Sequence, residues 1–310
     1  MNRTVAGVAC GAGAGALWGL VFLAPELTRS FTPMQIAASR YLAYGVLALA
    51  LLAPRWRRLA PHIGRAECWA LIWLSLFGNV LYYVLLTNAV LLGGVAITSL
   101  IIGFLPVVVT LIGSREHGAV PLGRLAPSLL LSAAGIACIG WQAAQGAESG
   151  MRAGGFLGMV FAAGALLSWT AFAVGNARWL GRLGHMSAHD WSLLTGVVTG
   201  AEALLLAIPA FLFDTTAHPA ADWITFWAVA GSVAVLASIV GNALWNRASQ
   251  LLPLTLVGQM ILFETLFALL YAFLWEQRLP TGAEAAAMLL VGASVITCLR
   301  AHRVETAAER

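Results

Sequence analysis

Three charged residues stand inside otherwise apolar runs: Arg40, Glu202 and Glu264. An Arg or Asp at the centre of a membrane helix costs about 2.5–3.5 kcal/mol even on the lenient insertion scale, so each such charge calls for a reason. Arg40 could clamp a substrate carboxylate through two parallel N–H···O bonds. It could equally snorkel outward or pair with a helix C-terminus. Glu264 could hold a substrate ammonium or carry a coupled proton, or simply accept hydrogen bonds between helices. Glu202 follows Gly200 and Ala201 and reads as structural.

Polar and aromatic residues recur beside these charges. Asn79, Tyr82 and Tyr83 stand at i, i+3, i+4 and share one helix face. Asn242, Trp245 and Asn246 repeat that spacing. Faces this polar do not look at lipid, so they border either a substrate cavity or an interhelical hydrogen-bond seam. Trp18 and Trp169 sit in mid-run, unlike Trp56, Trp69, Trp223 and Trp275, which fit the aromatic belt at a membrane surface. Gly103 and Pro106 suggest a bend that serves as a hinge or as a rigid kink. Gly7, Gly11, Gly15 and Gly19 form a small-residue stripe for close helix contact.

The elements that must position these residues follow from composition. Of 310 residues, 60% are apolar and 10% charged, with a net charge of +4 and no lysine. A soluble fold of this size could not cover its core with so little polar surface. Ten apolar runs are long enough to span a bilayer: 5–24, 34–53, 68–89, 94–112, 124–141, 155–177, 191–212, 223–246, 253–274 and 281–299. The expected class is an all-α integral membrane protein of ten transmembrane helices. Under this count thirteen Arg fall on one side and only Arg29, Arg152 and Arg278 on the other. That asymmetry puts both termini in the cytoplasm, in a multi-pass protein of the cell inner membrane.

Ten spans divide into two sets of five: residues 1–146, a connecting loop 147–154, then 155–299 and a cytoplasmic tail 300–310. Weak internal similarity supports a duplication. Gly78-Asn79-Val80-Leu81-Tyr82-Tyr83 matches Gly241-Asn242-Ala243-Leu244-Trp245-Asn246, Phe104 matches Phe263, and Glu116 and Glu276 close the fourth span of each half. Five is odd, so the second copy must run inverted, with substrate bound between the halves near the midplane.

Several runs carry a likeness to a known family. They are Leu17-Trp18-Gly19, Thr32-Pro33-Met34-Gln35-Ile36-Ala37-Ala38-Ser39-Arg40-Tyr41, Phe104-Leu105-Pro106, Phe263-Glu264, and the Glu ending the fourth and ninth spans. In these the chain resembles the drug/metabolite transporter superfamily, in its EamA-type group. Within it, the chain looks most like the YddG-type exporters of aromatic and other neutral amino acids. It differs from the commoner pattern in lacking a Pro after Glu264, and in reading Ser114-Arg115-Glu116-His117 where many members have Gly-Glu. The resemblance implies that Trp169 is a cavity aromatic, able to stack on a substrate ring or hold an ammonium by cation–π attraction. It implies that Arg40 belongs to the scaffold.

The expectation is a secondary transporter exporting small zwitterions, above all aromatic and other neutral amino acids, by alternating access. The alternatives are an exporter of another substrate class, a channel or an intramembrane enzyme. An enzyme fares poorly: no His or Asp falls clearly within a span, and HExxH and GxSxG motifs are absent. No nucleic-acid partner is expected, because the arginines form no basic stripe. No cofactor is expected, and a monomer is the expected unit. The lipid bilayer and a small-molecule substrate are its partners. Cys10, Cys68, Cys138 and Cys298 are isolated packing residues, and His185 and His189, at i, i+4, read as a solvated pair rather than a metal site.

Overall fold

A computed structural model of the chain describes residues 3–28, 30–93, 98, 101–115, 120–146, 155–184, 186–214 and 216–308. The regular structure among them is entirely helical. Seven helices among the described residues are long and apolar enough to cross a membrane, and Leu122–Cys138 is a shorter apolar one. The connecting loop 147–154, Glu116 and His185 lie outside the described residues.

The helices are α1 (Arg3–Gly19), α2 (Pro33–Leu52), α3 (Arg65–Ser75), α4 (Leu81–Gly93), α5 (Leu105–Gly113), α6 (Leu122–Gly146) and α7 (Gly155–Arg182). They continue with α8 (Ala188–Leu212), α9 (Ala220–Val233), α10 (Asn242–Leu251), α11 (Leu254–Met260), α12 (Leu262–Glu276) and α13 (Gly282–Ala308). Most run past the apolar stretches that predict them. Once a helix is nucleated, each further residue adds a backbone hydrogen bond, and the polar residues at the ends meet headgroups or water.

Local chemistry sets the starts. The Thr32-Pro33-Met34-Gln35 run is a capping box: Gln35 N–H donates to Thr32 Oγ1 at 3.3 Å, and Thr32 N–H donates to Gln35 Oε1 at 2.9 Å. Pro33 occupies the first turn, where its missing N–H costs nothing. Ser187 caps α8 by accepting from Asp190 N–H at 3.0 Å. Pro106 does not kink a continuous helix. The helix breaks in a turn at Gly103-Phe104, and Pro106 stands in the first turn of α5.

Two of the long membrane helices are not regular. α3 passes into α4 through a π segment, Leu76–Val80, and α9 passes into α10 through another, Ala234–Gly241. Such a segment shifts the backbone ladder from i+4 to i+5 and is a common mark of a functional site.

Packing pairs α2 with α8, α6 with α13, α4 with α7, α5 with α11, and α1 with both α10 and α12. The glycine stripe of α1 makes the last contact possible. A Cβ on Gly15 would lie 2.7 Å from the Glu264 backbone nitrogen and 2.6 Å from Phe263 Cβ, so only glycine fits there. Two apolar clusters result. One holds Trp18, Val109, Trp169, Trp245, Leu256 and Met260. The other holds Tyr41, Tyr44, Leu74, Trp191 and Leu193, and Phe172 borders both. Outside them, Leu130, Leu205, Ile224 and Leu289 point outward, each more than two-thirds exposed. These side chains face lipid.

Candidate functional site

Three indoles meet at the core of the first cluster. The Trp18 ring lies 5.2 Å from Trp245 and 6.4 Å from Trp169, and Trp169 lies 5.8 Å from Trp245. They come from α1, α7 and α10. The centroid distances fall in the range where edge-to-face and tilted aromatic pairs attract. Phe172, one turn after Trp169, adds a fourth ring at 5.8 Å. Trp18 Nε1 donates to the Ala237 carbonyl at 3.1 Å. Trp245 is 1% exposed, yet its Nε1 has no hydrogen-bond partner among the described residues. A buried donor left unmade costs about 1–3 kcal/mol, and a ligand acceptor would recover it.

Arg40 joins this group through the π segment. Its Nε donates to Ser238 Oγ at 3.3 Å, so adjacent residues of one segment touch the cation and the indole of Trp18. The Arg40 guanidinium also lies 5.3 Å from the Tyr41 ring centroid, and Tyr83 meets Tyr41 edge-on at 6.3 Å. Arg40 is the cation whose field acts on Glu264, and Glu264 in turn acts on Tyr82. The Glu264 backbone is fixed against Gly15, one turn before Trp18. A cavity of about 20 Å³, room for about one water, lies beside Arg40 and Tyr83 and is walled by Phe226 and Ala230.

The structure thus brings Trp18, Trp169 and Trp245 together, and Arg40, Tyr83, Tyr82 and Glu264 into one electrostatic neighbourhood. It does not keep Asn79, Tyr82 and Tyr83 on one cavity wall. Asn79 Nδ2 donates to Thr199 Oγ1 at 3.0 Å on α8, while Tyr82 packs on the tryptophan cluster and Tyr83 on Tyr41. Asn242 Nδ2 reaches Tyr44 Oη at 3.5 Å. Asn246 is buried and accepts from Asn176 at 2.7 Å, while Asn176 in turn accepts from Trp191 Nε1 at 3.0 Å. The three asparagines therefore join helices. Glu202 Oε2 is buried without a hydrogen-bond partner among the described residues.

Sequence reasoning missed both π segments. It also missed the way each is held: Ser168 Oγ on α7 donates to Phe77 O at 2.7 Å, as Trp18 on α1 donates to Ala237 O. The repeated Gly-Asn pair was the available signal, because Gly78 faces Phe172 and Gly241 faces Trp18 with no room for a Cβ.

At one end of the molecule, Asp190 binds Arg55 at 3.0 Å and Arg58 at 3.2 Å, tying α8 to the segment after α2. At another loop, Arg278 grips Glu284 with both nitrogens at 2.7 and 2.8 Å.

Comparison with known proteins identifies the family. The sequence profile described as the EamA-like transporter family matches residues 5–141. The chain is 32% identical over 299 residues to "Inner membrane protein YtfF" of Escherichia coli (strain K12), covering 93% of each chain. A crystal structure 18% identical in sequence superposes with a TM-score of 0.71 over 96% of this chain and 98% of the other, which shows a shared fold. The chain belongs to the EamA-like transporter family of the drug/metabolite transporter superfamily.

Proposed function

We propose that the protein is a secondary exporter of small zwitterions, chiefly aromatic and other neutral amino acids, across the inner membrane. The observation that carries this reading is the triad of Trp18, Trp169 and Trp245, with the buried Trp245 N–H lacking a partner among the described residues, joined through Ala237 and Ser238 to Arg40. Indole faces stack on an aromatic side chain or attract an ammonium. The free Trp245 Nε1 and Arg40 suit a carboxylate, and Glu264 suits the ammonium. The YtfF relative is named an inner membrane protein, which supports that location for this chain.

The packing supports ten spans in two inverted halves. Exchange of each span with its counterpart five later returns α2–α8, α5–α11 and α6–α13 to themselves. The same exchange turns the contact of α1 with α10 into that of α7 with α4. The two π segments exchange as well, and so do the side chains that hold them. In this reading the halves rock about the tryptophan triad, and the two π segments are where the long helices bend. The Gly103-Phe104 break before Pro106 is a further bending point. The arginine asymmetry supports a cytoplasmic location for both termini.

The test is counterflow into liposomes containing the purified protein, scanned across the amino acids. Tryptophan, phenylalanine and other neutral amino acids are expected to exchange well above protein-free vesicles. Absence of exchange for every amino acid would overturn the substrate class and leave the family membership standing.

A further inference from the structure

We infer that the protein carries a binding site for an anionic phospholipid on its flank, separate from the tryptophan triad and independent of the transported substrate. An apolar groove of about 560 Å³ runs between the end of α2, the start of α3 and the first turns of α8. Leu52, Trp56, Ile63, Leu71 and Val198 line it, and Cys68 sits at its edge. The groove opens sideways: Leu49 is 56% exposed and Ile72 43%, so its mouth lies on the surface that meets lipid. An extended hydrocarbon chain is the occupant such a mouth admits.

The charge at one end of the groove selects the headgroup. Arg55, Arg57, Arg58 and Arg65 fall between the end of α2 and the first residue of α3, with Asp190 in the first turn of α8 and Glu67 in the first turn of α3 as the carboxylates. Asp190 is taken up by Arg55 and Arg58, and Glu67 Oε2 accepts from the Gly64 N–H at 2.9 Å. Arg57 and Arg65 are exposed and make no ion pair among the described residues, so two guanidiniums remain for a phosphate. Arg65 shares a face of α3 with Cys68 and Ile72 at i, i+3, i+7, which sets its charge above the groove wall. Arg57 adjoins Trp56, itself a wall residue. Trp56 and Trp69 are 49% and 68% exposed beside this cluster, and indoles in that setting mark headgroup depth. A basic cluster at a helix end above an apolar cleft is the arrangement that retains anionic lipids. A neutral headgroup offers the two free guanidiniums a phosphate already paired with its own ammonium.

The full-length protein, purified in mild detergent, is titrated with phosphatidylglycerol or phosphatidylcholine and examined by native mass spectrometry and thermal unfolding. Phosphatidylglycerol is expected to stay bound and raise the Tm, while phosphatidylcholine does neither. Arg57→Gln with Arg65→Gln should lower phosphatidylglycerol retention about thirtyfold, the combined loss of two near-surface cations. Val198→Trp, which fills the groove, should abolish it with the arginines intact. The control Arg115→Gln with Arg300→Gln, two exposed arginines elsewhere, should change nothing. Equal retention of both lipids by the unsubstituted protein would overturn the proposal. So would an unchanged phosphatidylglycerol preference in a folded Arg57→Gln/Arg65→Gln protein, or an equal loss in the control.

Discussion

At the residue scale, the informative groups are those whose chemistry the protein leaves unfinished. Glu264 is half-buried beside the field of Arg40, and its carboxylate receives no hydrogen bond among the described residues. Glu264→Gln preserves shape and removes the charge. It is expected to leave expression intact and to lower liposome transport or flatten its pH profile. Unsubstituted rates over the whole pH range would remove the proton-carrier role. Trp169 presents its ring to two other indoles and Phe172. Trp169→Ala is expected to weaken exchange of aromatic amino acids most, by roughly tenfold, given about 0.5–1.5 kcal/mol for each lost aromatic pair. An equal loss for every substrate would point to folding. The asparagines teach the opposite lesson. Asn79, Asn242 and Asn246 have the spacing of a cavity wall, but their amides are used between helices, where such bonds contribute about 0.6–2 kcal/mol each.

At the element scale, α1 is held by how closely it can approach α12. Gly15→Ala must displace backbone at Phe263 and Glu264, and overpacking of this kind costs about 1–3 kcal/mol. The expected readout is a lower Tm together with impaired transport, since Glu264 moves with its backbone. Gly292→Ala, on α13 with nothing near its would-be Cβ, is the matched control and should be neutral or slightly stabilising. Asp190→Asn, at the start of α8, loses ion pairs to Arg55 and Arg58. Asp190 is 2% exposed, but its partners are 44% and 73% exposed, so the expected cost is about 1–2 kcal/mol, below that of a fully buried pair. Thermal unfolding measures it, and salt should reduce the difference.

At the scale of the whole molecule, the orientation is checkable with single cysteines in a cysteine-free background. Gly184 and Thr216 flank α8 on opposite sides. Thr216→Cys is expected to react with a membrane-impermeant maleimide in intact spheroplasts, and Gly184→Cys only after permeabilisation. The reverse pattern would invert the topology. Reaction from the same side would break the span count.

Composition and hydropathy were enough to name the solvent and most of the helices, because lipid forces backbone hydrogen bonds into local helices and local pattern then dictates local structure. The family came instead from a resemblance in short motifs such as Leu17-Trp18-Gly19 and Phe263-Glu264. The Thr32-Pro33-Met34-Gln35 start and the Gly7-to-Gly19 stripe were legible because they too are local: a cap and a close contact both need particular residues at fixed short spacing. The site was legible only in part. That Trp18, Trp169, Trp245 and Arg40 converge depends on contacts between residues far apart in the chain, such as the 219 positions from Trp18 to Ala237. The π segments depend on a side chain from another helix meeting a freed carbonyl. Helix periodicity says which face a residue occupies. Which neighbour that face meets, and whether an amide is left open or used up, is decided by long-range packing, and only the tertiary structure holds that information.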